Sequence, residues 1–251
     1  MFADNPYSSV AGFLPALFMP LYMLVMVLAV IVGTWVDVAS KGSARFFKAR
    51  NARARMIARY ELTGPKVVSI AARTALEAAV SGEFRKWPRR LSHLITAYGF
   101  GLYVTITMIL VFAYAGTNHP PVILPILWDL GAFMVFAGGL WFFLCQRVNV
   151  ASDGAHRLHL GQADLFVGTL IASATLGLLW HLGEAWSGNG PVTLTLFGLY
   201  LFFTALLFGT IPWSKFAHMF YKPAVAYQEK VETATGASPL PEPERRSPQR
   251  G

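Results

Sequence analysis

Five long apolar segments alternate with polar stretches along the chain. Each is long enough to cross a bilayer as a helix, which takes about 20 residues. The apolar runs are continuous rather than alternating, which favours helices over membrane strands. The sequence therefore predicts an all-α integral membrane bundle of five transmembrane helices. The predicted spans are Phe13–Trp35, His93–Gly116, Val122–Cys145, Ala163–Trp186 and Val192–Trp213.

The segment between the first two spans, residues 36–92, is too long to be a simple turn. It begins with a basic amphipathic stretch, Lys41–Arg59, which contains seven Lys and Arg residues. A second amphipathic helix is predicted over Pro65–Val80, with proline at its start and Ser81-Gly82 after its end. The basic stretch suits a helix lying on anionic headgroups, and together the two helices suit a platform for a cytoplasmic partner.

Basic residues are confined to one side of the predicted bundle. Residues 36–92 hold 13 of the 21 Lys and Arg, and the rest follow the third or the fifth span. The two short loops on the other side, residues 117–121 and 187–191, have none. By the positive-inside rule, the N-terminus lies outside and the C-terminus lies in the cytoplasm. We therefore expect a bacterial inner-membrane protein whose partners include the lipid bilayer.

The two ends of the chain carry different expectations. The outer N-terminal segment, residues 1–12, has no Lys or Arg, so the first span is expected to be retained rather than cleaved as a signal peptide. The cytoplasmic tail, residues 214–251, is rich in Pro, Ser, Glu and Arg in its second half. That composition predicts disorder from about residue 233.

Composition and charge narrow the class of protein further. The chain is 55% hydrophobic and 14% charged, whereas soluble domains are about 25% charged. The net charge of +8 is explained by the one-sided basic loops, so no nucleic-acid partner is predicted. The single cysteine, Cys145, cannot build a disulfide framework or a four-thiolate cluster. Any iron–sulfur centre must therefore belong to a partner.

Two of the six histidines are predicted to lie at a similar depth near the cytoplasmic surface. His93 opens the second span, and His218 follows the inner end of the fifth. A b-type haem needs two axial imidazoles at one depth on facing helices, which this pair could supply. The alternative is a pair of interfacial histidines that bind no ligand.

The sequence around His218 carries a distinctive motif. Residues 211–220 read Ile-Pro-Trp-Ser-Lys-Phe-Ala-His-Met-Phe, and Pro223 follows. This run resembles the end of the last ligand-bearing helix in the respiratory nitrate reductase gamma-subunit superfamily. That superfamily includes membrane cytochrome b subunits of heterodisulfide-reductase-like and quinone-interacting oxidoreductase complexes.

The resemblance implies a five-helix subunit with an outside N-terminus that moves electrons between quinones and a cytoplasmic iron–sulfur partner. It implies that His93 and His218 are the axial ligands of one haem b. Lys215 lies about one turn from His218 and is expected to pair with a haem propionate.

The chain departs from this family at the place of a second haem. The matching ligand positions, ten residues after His93 and eighteen before His218, are Tyr103 and Tyr200. Tyrosine is a poor ligand for a low-spin b haem, so only one haem is predicted. Within the superfamily, the membrane anchors proposed for adenylylsulfate reductase in sulfur oxidisers suit this reduced haem complement, which would place the protein in sulfur metabolism.

Ionisable residues within the outer half of the membrane are candidates for quinone or proton chemistry. Asp129 lies about 10 Å inside the third span, and topology places His181 and Glu184 near it. The alternative is that Asp129 pairs locally near the headgroups. The second span rises about 35 Å from His93 to Gly116, which is far for direct electron transfer between an outer quinone site and a haem at His93. An inner quinone site near His159 is therefore the competing interpretation.

The combined interpretation is a cytochrome b-type membrane subunit. It would anchor a cytoplasmic iron–sulfur/flavin oxidoreductase and exchange electrons between that enzyme and the quinone pool. One alternative is a cofactor-free anchor for a soluble enzyme, whose residues 41–90 would be essential. Another is a proton or ion carrier built on Asp129, His181 and Glu184. Gly131, Gly138 and Gly139 of the third span are interpreted as packing contacts.

Overall fold

The computed structural model describes residues 4–40, 43–80, 87–114, 120–146, 162–210 and 218–237, and within these ranges the chain is helical, without strands. A short 3-10 helix, Ser9–Gly12, precedes the first long helix, and a π-helical turn, Phe142–Gln146, follows the fifth. The long helices are α1 (Phe18–Ser40), α2 (Ser43–Ile57), α3 (Gly64–Ala79), α4 (Trp87–Phe112), α5 (Ile123–Trp141), α6 (Gln162–Ser187), α7 (Pro191–Gly209) and α8 (His218–Thr235).

The chain divides into two compact units. Unit 1 comprises residues 1–37 and 80–217, and it contains most of α1 together with α4 to α7. Unit 2 comprises residues 38–79 and 218–251, and it contains α2, α3 and α8. Five helices, α1 and α4 to α7, are long and apolar enough to cross a membrane. The predicted all-α membrane bundle with amphipathic helices between its first two spans is therefore confirmed.

Two of these helices begin away from their predicted starts. The first begins at Phe18 rather than Phe13, because Pro15 lies in a turn that precedes it. The second, α4, begins at Trp87, six residues before His93. Pro88 lies in its first turn, where the missing N–H of proline removes no helical hydrogen bond. His93 therefore lies in the second turn of α4 rather than at its start.

The N-terminal segment packs into one end of unit 1. Asn5, Tyr7 and Val10 are buried. The Asn5 amide Nδ2 donates to the Tyr114 carbonyl at 3.0 Å and to the Leu110 carbonyl at 3.4 Å. These carbonyls lie in and just after the last turn of α4, where helices leave acceptors unsatisfied. We call this end of unit 1 the Tyr7 end, and the end at which α4 begins and α7 ends the His93 end.

Helices α4 and α5 pack with their backbones close together through glycines. A Cβ atom placed on Gly99 would lie 2.5 Å from the Cβ of Met134, and one on Gly131 would lie 2.8 Å from the Tyr103 nitrogen. A Cβ atom on Gly138 would lie 2.9 Å from the Thr96 nitrogen. Real side chains do not approach this closely, so these positions accept only glycine without a shift of the helices.

Unit 2 is joined by ion pairs between its helices. The Arg50 guanidinium of α2 donates two hydrogen bonds of 2.8 Å to the Glu232 carboxylate of α8. Lys230 of α8 pairs with Glu77 of α3, and its ammonium lowers the pKa of that carboxyl. Arg50 holds α2 to α8. The basic stretch is therefore packed against another helix of unit 2.

The C-terminal tail, residues 214–251, contains a helix, α8, that continues past residue 233, where disorder is predicted. Helix α8 ends at Thr235, whose carbonyl accepts hydrogen bonds from the backbone nitrogens of Arg59 and Tyr60. Gly236 then takes a φ of 69°, and Ala237 N donates to the Glu232 carbonyl at 2.8 Å, which is the usual glycine termination of a helix. This cap and the tertiary contacts explain why the helix extends further than composition alone suggests.

We expect Arg50→Ala to loosen α8 within the intact chain. Only 7% of the Glu232 side chain is exposed, and its other described side-chain partner is the Gln228 amide. Removing the guanidinium leaves a shielded carboxylate without its charged partner, a loss of about 1–3 kcal/mol. Hydrogen–deuterium exchange of the α8 amides should accelerate. Arg53→Ala is the matched control because Arg53 is exposed on the same helix; equal exchange in the two variants would contradict this role for Arg50.

Candidate functional site

The Tyr7 end of unit 1 is filled by a cluster of five large aromatic side chains. Tyr7, Tyr103, Trp128, Trp180 and Tyr200 are all buried. Ring centroids lie 5.1 Å apart for Tyr103 and Trp128, 5.6 Å for Trp180 and Tyr200, and 5.5 Å for Tyr7 and Trp180. These are ordinary distances for favourable aromatic packing. The cluster therefore joins the N-terminal segment to α4, α5, α6 and α7.

Most polar atoms of this aromatic cluster are hydrogen-bonded. The hydroxyls of Tyr7 and Tyr200 share a hydrogen bond of 3.0 Å. The Trp128 indole Nε1 donates to Thr107 Oγ1 at 2.9 Å, and that hydroxyl donates to the Tyr103 carbonyl. The Tyr7–Tyr200 bond ties the N-terminal segment to α7, and the Trp128–Thr107 bond ties α5 to α4.

The Tyr103 hydroxyl is an exception. It is shielded from solvent, and no hydrogen bond of ordinary geometry reaches it in the described part of the chain. Its hydrogen-bonding neighbour is the Tyr200 hydroxyl, which is itself bonded to Tyr7. A buried hydroxyl without any partner costs about 1–3 kcal/mol, and native proteins contain few of them. The interaction with Tyr200 therefore offsets part of the cost of burying this hydroxyl.

A second haem does not fit between Tyr103 and Tyr200. Their rings pack directly against Trp128 and Trp180. A Cβ atom on Gly177 would lie 2.7 Å from the Tyr103 hydroxyl oxygen, so even a methyl group has no room there. The space around the two tyrosines is thus filled by packed side chains. These contacts describe only the surroundings of Tyr103 and Tyr200. The predicted number of haems per chain therefore stays a prediction.

Two of the ionisable residues predicted at the outer side are in direct contact. His181 Nδ1 of α6 and Asp129 Oδ1 of α5 lie 2.8 Å apart. The His181 side chain is 4% exposed and that of Asp129 is 24% exposed. The imidazole also meets the Trp128 ring edge-on, with centroids 5.7 Å apart. The pair is therefore a hydrogen-bonded carboxylate–imidazole dyad with the carboxylate on its more accessible side.

Glu184 extends this polar region by one turn of α6. Its Oε2 atom is shielded and has no hydrogen-bond partner in the described residues. Ser9, His181 and Asp4 are its polar and charged neighbours. Ser9 and Asp4 belong to the N-terminal segment, which was not predicted to join this region. No periodic pattern in residues 4–12 signals that this segment packs against α6, so the sequence offered no means of finding these two residues.

A small cavity of about 30 Å3 lies beside the aromatic cluster, between α1, α4, α6 and α7. It extends from Tyr103 and Tyr200 toward the His93 end, where the rings of Phe100 and Phe208 meet with centroids 6.4 Å apart. The cavity is far smaller than a haem. Its lining residues are Met23, Phe100, Tyr103, Val104, Thr107, Leu170, Ser173, Tyr200, Thr204, Leu207 and Phe208.

The predicted haem ligands are described to different extents. His93 is half-buried in the second turn of α4, ten residues before Tyr103 and hence about 15 Å from it along the helix axis. His218 is the first residue of α8, in unit 2. Lys215 and His159 lie outside the described residues. Within the described ranges, no three His, Cys, Asp or Glu side chains are grouped as metal ligands.

Comparison with known proteins shows similarity to a bacterial protein. The chain is 30% identical over 156 residues to citrate utilization protein B of Escherichia coli. The matched region covers 59% of this chain and 39% of that protein, so the chain spans about two fifths of the relative's length. No protein-family model matches the chain, and no solved structure matches it. The fold and the site geometry define the class as a five-span helical membrane protein.

Proposed function

We propose that this chain is a cytochrome b-type membrane subunit. It anchors a cytoplasmic iron–sulfur/flavin oxidoreductase and passes electrons between that enzyme and the quinone pool. The protein lies in the bacterial inner membrane, with the Tyr7 end outside and the His93 end toward the cytoplasm. The basic residues of unit 2 and the adjoining segments support this orientation through the positive-inside rule.

The observation that carries the proposal is the register of α4 and α7. The Phe100–Phe208 contact sets these two residues at one depth. From that contact, His93 lies seven residues toward the His93 end on α4, and His218 follows Phe208 by ten residues in the sequence. These similar sequence separations from one contact support the pairing of the two imidazoles that bis-histidine ligation requires.

The residues have distinct roles in this proposal. His93 and His218 provide the axial nitrogens, and the Lys215 ammonium is available to a propionate. A bound haem b supplies reversible one-electron transfer. The chain itself orients the group and excludes water through the apolar spans around it. The filled space between Tyr103 and Tyr200 supports a single haem toward the His93 end.

The nature of the partner enzyme is also part of the proposal. The single cysteine supports an iron–sulfur centre on another chain or domain. The name of the Escherichia coli relative links that protein to citrate utilization. This similarity supports a carboxylic-acid oxidoreductase as the partner at least as well as the adenylylsulfate reductase that the family resemblance suggests. In this proposal the partner enzyme binds to unit 2, through its exposed basic side chains.

The direct test is a reduced-minus-oxidised absorption spectrum of the purified chain, with haem quantified per polypeptide. We expect one b-type haem per chain. Protein expressed with ample haem supply that contains none would overturn the cytochrome proposal. It would leave the cofactor-free anchor as the better account, in which unit 2 alone carries the function.

A second candidate function, a proton or ion carrier, is favoured by the Asp129–His181 dyad. Ionisable pairs inside membrane spans commonly mark ion pathways. The cytochrome proposal expects proteoliposomes containing the wild-type chain to show no proton or cation uptake under an imposed gradient. Uptake that is lost in Asp129→Asn and kept in Glu61→Gln, an exposed residue outside the spans, would establish the carrier instead.

A further inference from the structure

Helix α3 uses one side for its packing in unit 2. The helix packs against α8, and all but three of its side chains are exposed. These three, Val67, Ile70 and Thr74, follow one another at intervals of three and four residues, so they share one side of the helix. Glu77 adds the ion pair with Lys230 of α8. The packing of α3 is therefore concentrated on one side.

A second side of α3 is apolar and exposed, and we call it the Val68 stripe. Val68 is 67% exposed and Leu76 is 66% exposed, so the two largest side chains of the stripe are mostly uncovered. The charged residues of α3 lie on other sides of the helix, so no charge interrupts the stripe. Exposed apolar surface with a polar rim marks contact with a protein or a membrane. The stripe consists of Val68, Ala71, Ala72, Ala75 and Leu76.

The chain that leaves α3 is held at the start of a membrane span. Val80 follows the last residue of α3, and its carbonyl accepts a hydrogen bond of 2.8 Å from Arg90 Nε. Arg90 lies at the beginning of α4, which is long and apolar enough to cross the bilayer. Because consecutive Cα atoms are about 3.8 Å apart, the C-terminal end of α3 lies near the level at which this span enters the membrane.

The charge of unit 2 complements an anionic lipid surface. Residues 43–80 and 218–237 contain ten Lys and Arg and four Glu. Two of these Glu are paired within the unit, with Lys230 and with Arg50. Basic residues near a leaflet of anionic phospholipids are attracted to its headgroups. An acidic protein would be attracted as well, but the uncharged stripe offers it no ion pair, whereas the acyl chains of a leaflet match the stripe.

From these observations we propose that the Val68 stripe inserts into the leaflet at the His93 end, with α3 lying in the plane of an anionic lipid surface. Insertion covers the apolar side chains of α3, and the net positive charge of unit 2 holds the unit near the headgroups. The exposed basic side chains of α2 remain available to a partner enzyme. The proposal holds whether or not the chain binds haem.

Fluorescence quenching in lipid nanodiscs tests the insertion. The full chain carries Cys145→Ser and one new cysteine labelled with the fluorophore NBD. Val68→Cys places the fluorophore on the stripe, and Lys66→Cys places it on the charged side of the same helix as the matched control. In nanodiscs of phosphatidylglycerol and phosphatidylcholine, iodide should quench the Val68 position about threefold less than the Lys66 position. Lipids labelled with doxyl groups on their acyl chains should quench only the Val68 position.

A second substitution shows whether the apolar surface itself drives insertion. Leu76→Gln keeps helix propensity and removes one of the two large apolar side chains, so doxyl quenching at Val68→Cys should fall about threefold. Ser69→Gln makes an equally exposed change outside the stripe and should leave this quenching unchanged. Both proteins should elute and melt like their parent, because neither side chain is packed in the folded unit.

Three results would overturn the proposal. The first is equal iodide quenching at the two cysteine positions. The second is protection of the Val68 position from iodide without doxyl quenching, which would show that a protein surface, such as a second copy of the chain, covers the stripe. The third is doxyl quenching that Leu76→Gln leaves unchanged. Quenching should also weaken in nanodiscs of phosphatidylcholine alone, and equal quenching there would overturn anionic lipid as the ligand.

Discussion

Purified His93→Ala and His218→Ala proteins are expected to lose the low-spin b-type haem spectrum completely, while their helices remain intact. A bis-histidine haem depends on both axial nitrogens, and alanine supplies no replacement ligand. Neither residue is part of the aromatic cluster that organises the Tyr7 end, so the spans should still assemble. The measurement is the reduced-minus-oxidised spectrum with haem quantified per chain, together with circular dichroism and size-exclusion chromatography.

A third histidine variant, His119→Ala, is the control for loss of haem through general misassembly. His119→Ala changes a histidine of the predicted outer loop and should retain one haem per chain with an unchanged spectrum. If either His93→Ala or His218→Ala keeps a wild-type low-spin spectrum, that histidine is not an axial ligand. A loss of haem in His119→Ala as well would show that the spectrum reports on general assembly rather than on ligation.

Two parts of the molecule follow directly from local sequence. The five spans are predictable because each is a continuous apolar run. Such a run is stable as a helix in the hydrocarbon layer whatever its tertiary contacts. The Asp129–His181 dyad is predictable in outline because alternating helix directions bring the C-terminal part of one span to the N-terminal part of another. The contact itself, 2.8 Å between Nδ1 and Oδ1, depends on helix rotation, which hydropathy does not report.

Other parts of the site depend on long-range packing. The Tyr7 hydroxyl is hydrogen-bonded to the Tyr200 hydroxyl, 193 residues away in the sequence. The short N-terminal segment has no hydrophobic periodicity from which its burial could be predicted. The environment of the Tyr103 hydroxyl is likewise set by residues distant in the sequence, namely Tyr200 and the closely approaching Gly177. The resemblance to the nitrate reductase gamma-subunit superfamily identified Tyr103 only as a position at which a haem ligand is absent. The structure instead shows a packed phenol beside a cavity.

The basic stretch illustrates a third case, in which the sequence left two interpretations open. Lying on headgroups requires only an amphipathic helix, whereas a platform requires tertiary structure. Arg50 holds α2 to Glu232 of α8, while Arg53 and Arg55 remain exposed. The helix therefore belongs to a folded unit and still presents a basic surface. The structure thus adds tertiary contacts that favour a platform.

The second large effect is expected from Gly99→Leu, which should sharply reduce the yield and stability of the folded bundle. A Cβ atom at Gly99 would lie 2.5 Å from Met134 Cβ and 3.0 Å from the Val135 nitrogen, so the side chain can be accepted only if α4 and α5 separate. That separation would weaken the glycine contacts at Gly131 and the Trp128–Thr107 hydrogen bond. Overpacking of this kind costs about 1–3 kcal/mol or more, which corresponds to a fall in Tm of about 5–10 °C.

Gly101→Leu provides a matched control two residues away on the same helix. A Cβ atom at Gly101 meets nothing within 4 Å, so leucine adds helix propensity without a clash. Its Tm should equal or exceed that of wild type in thermal unfolding followed by size-exclusion chromatography. Equal destabilisation by both substitutions would mean that α4 does not tolerate leucine on either face, and that the close approach of α4 and α5 is not what Gly99 provides. A fall confined to Gly99→Leu would establish that the glycines of the third span and Gly99 act together, as packing contacts that set the distance between these two helices.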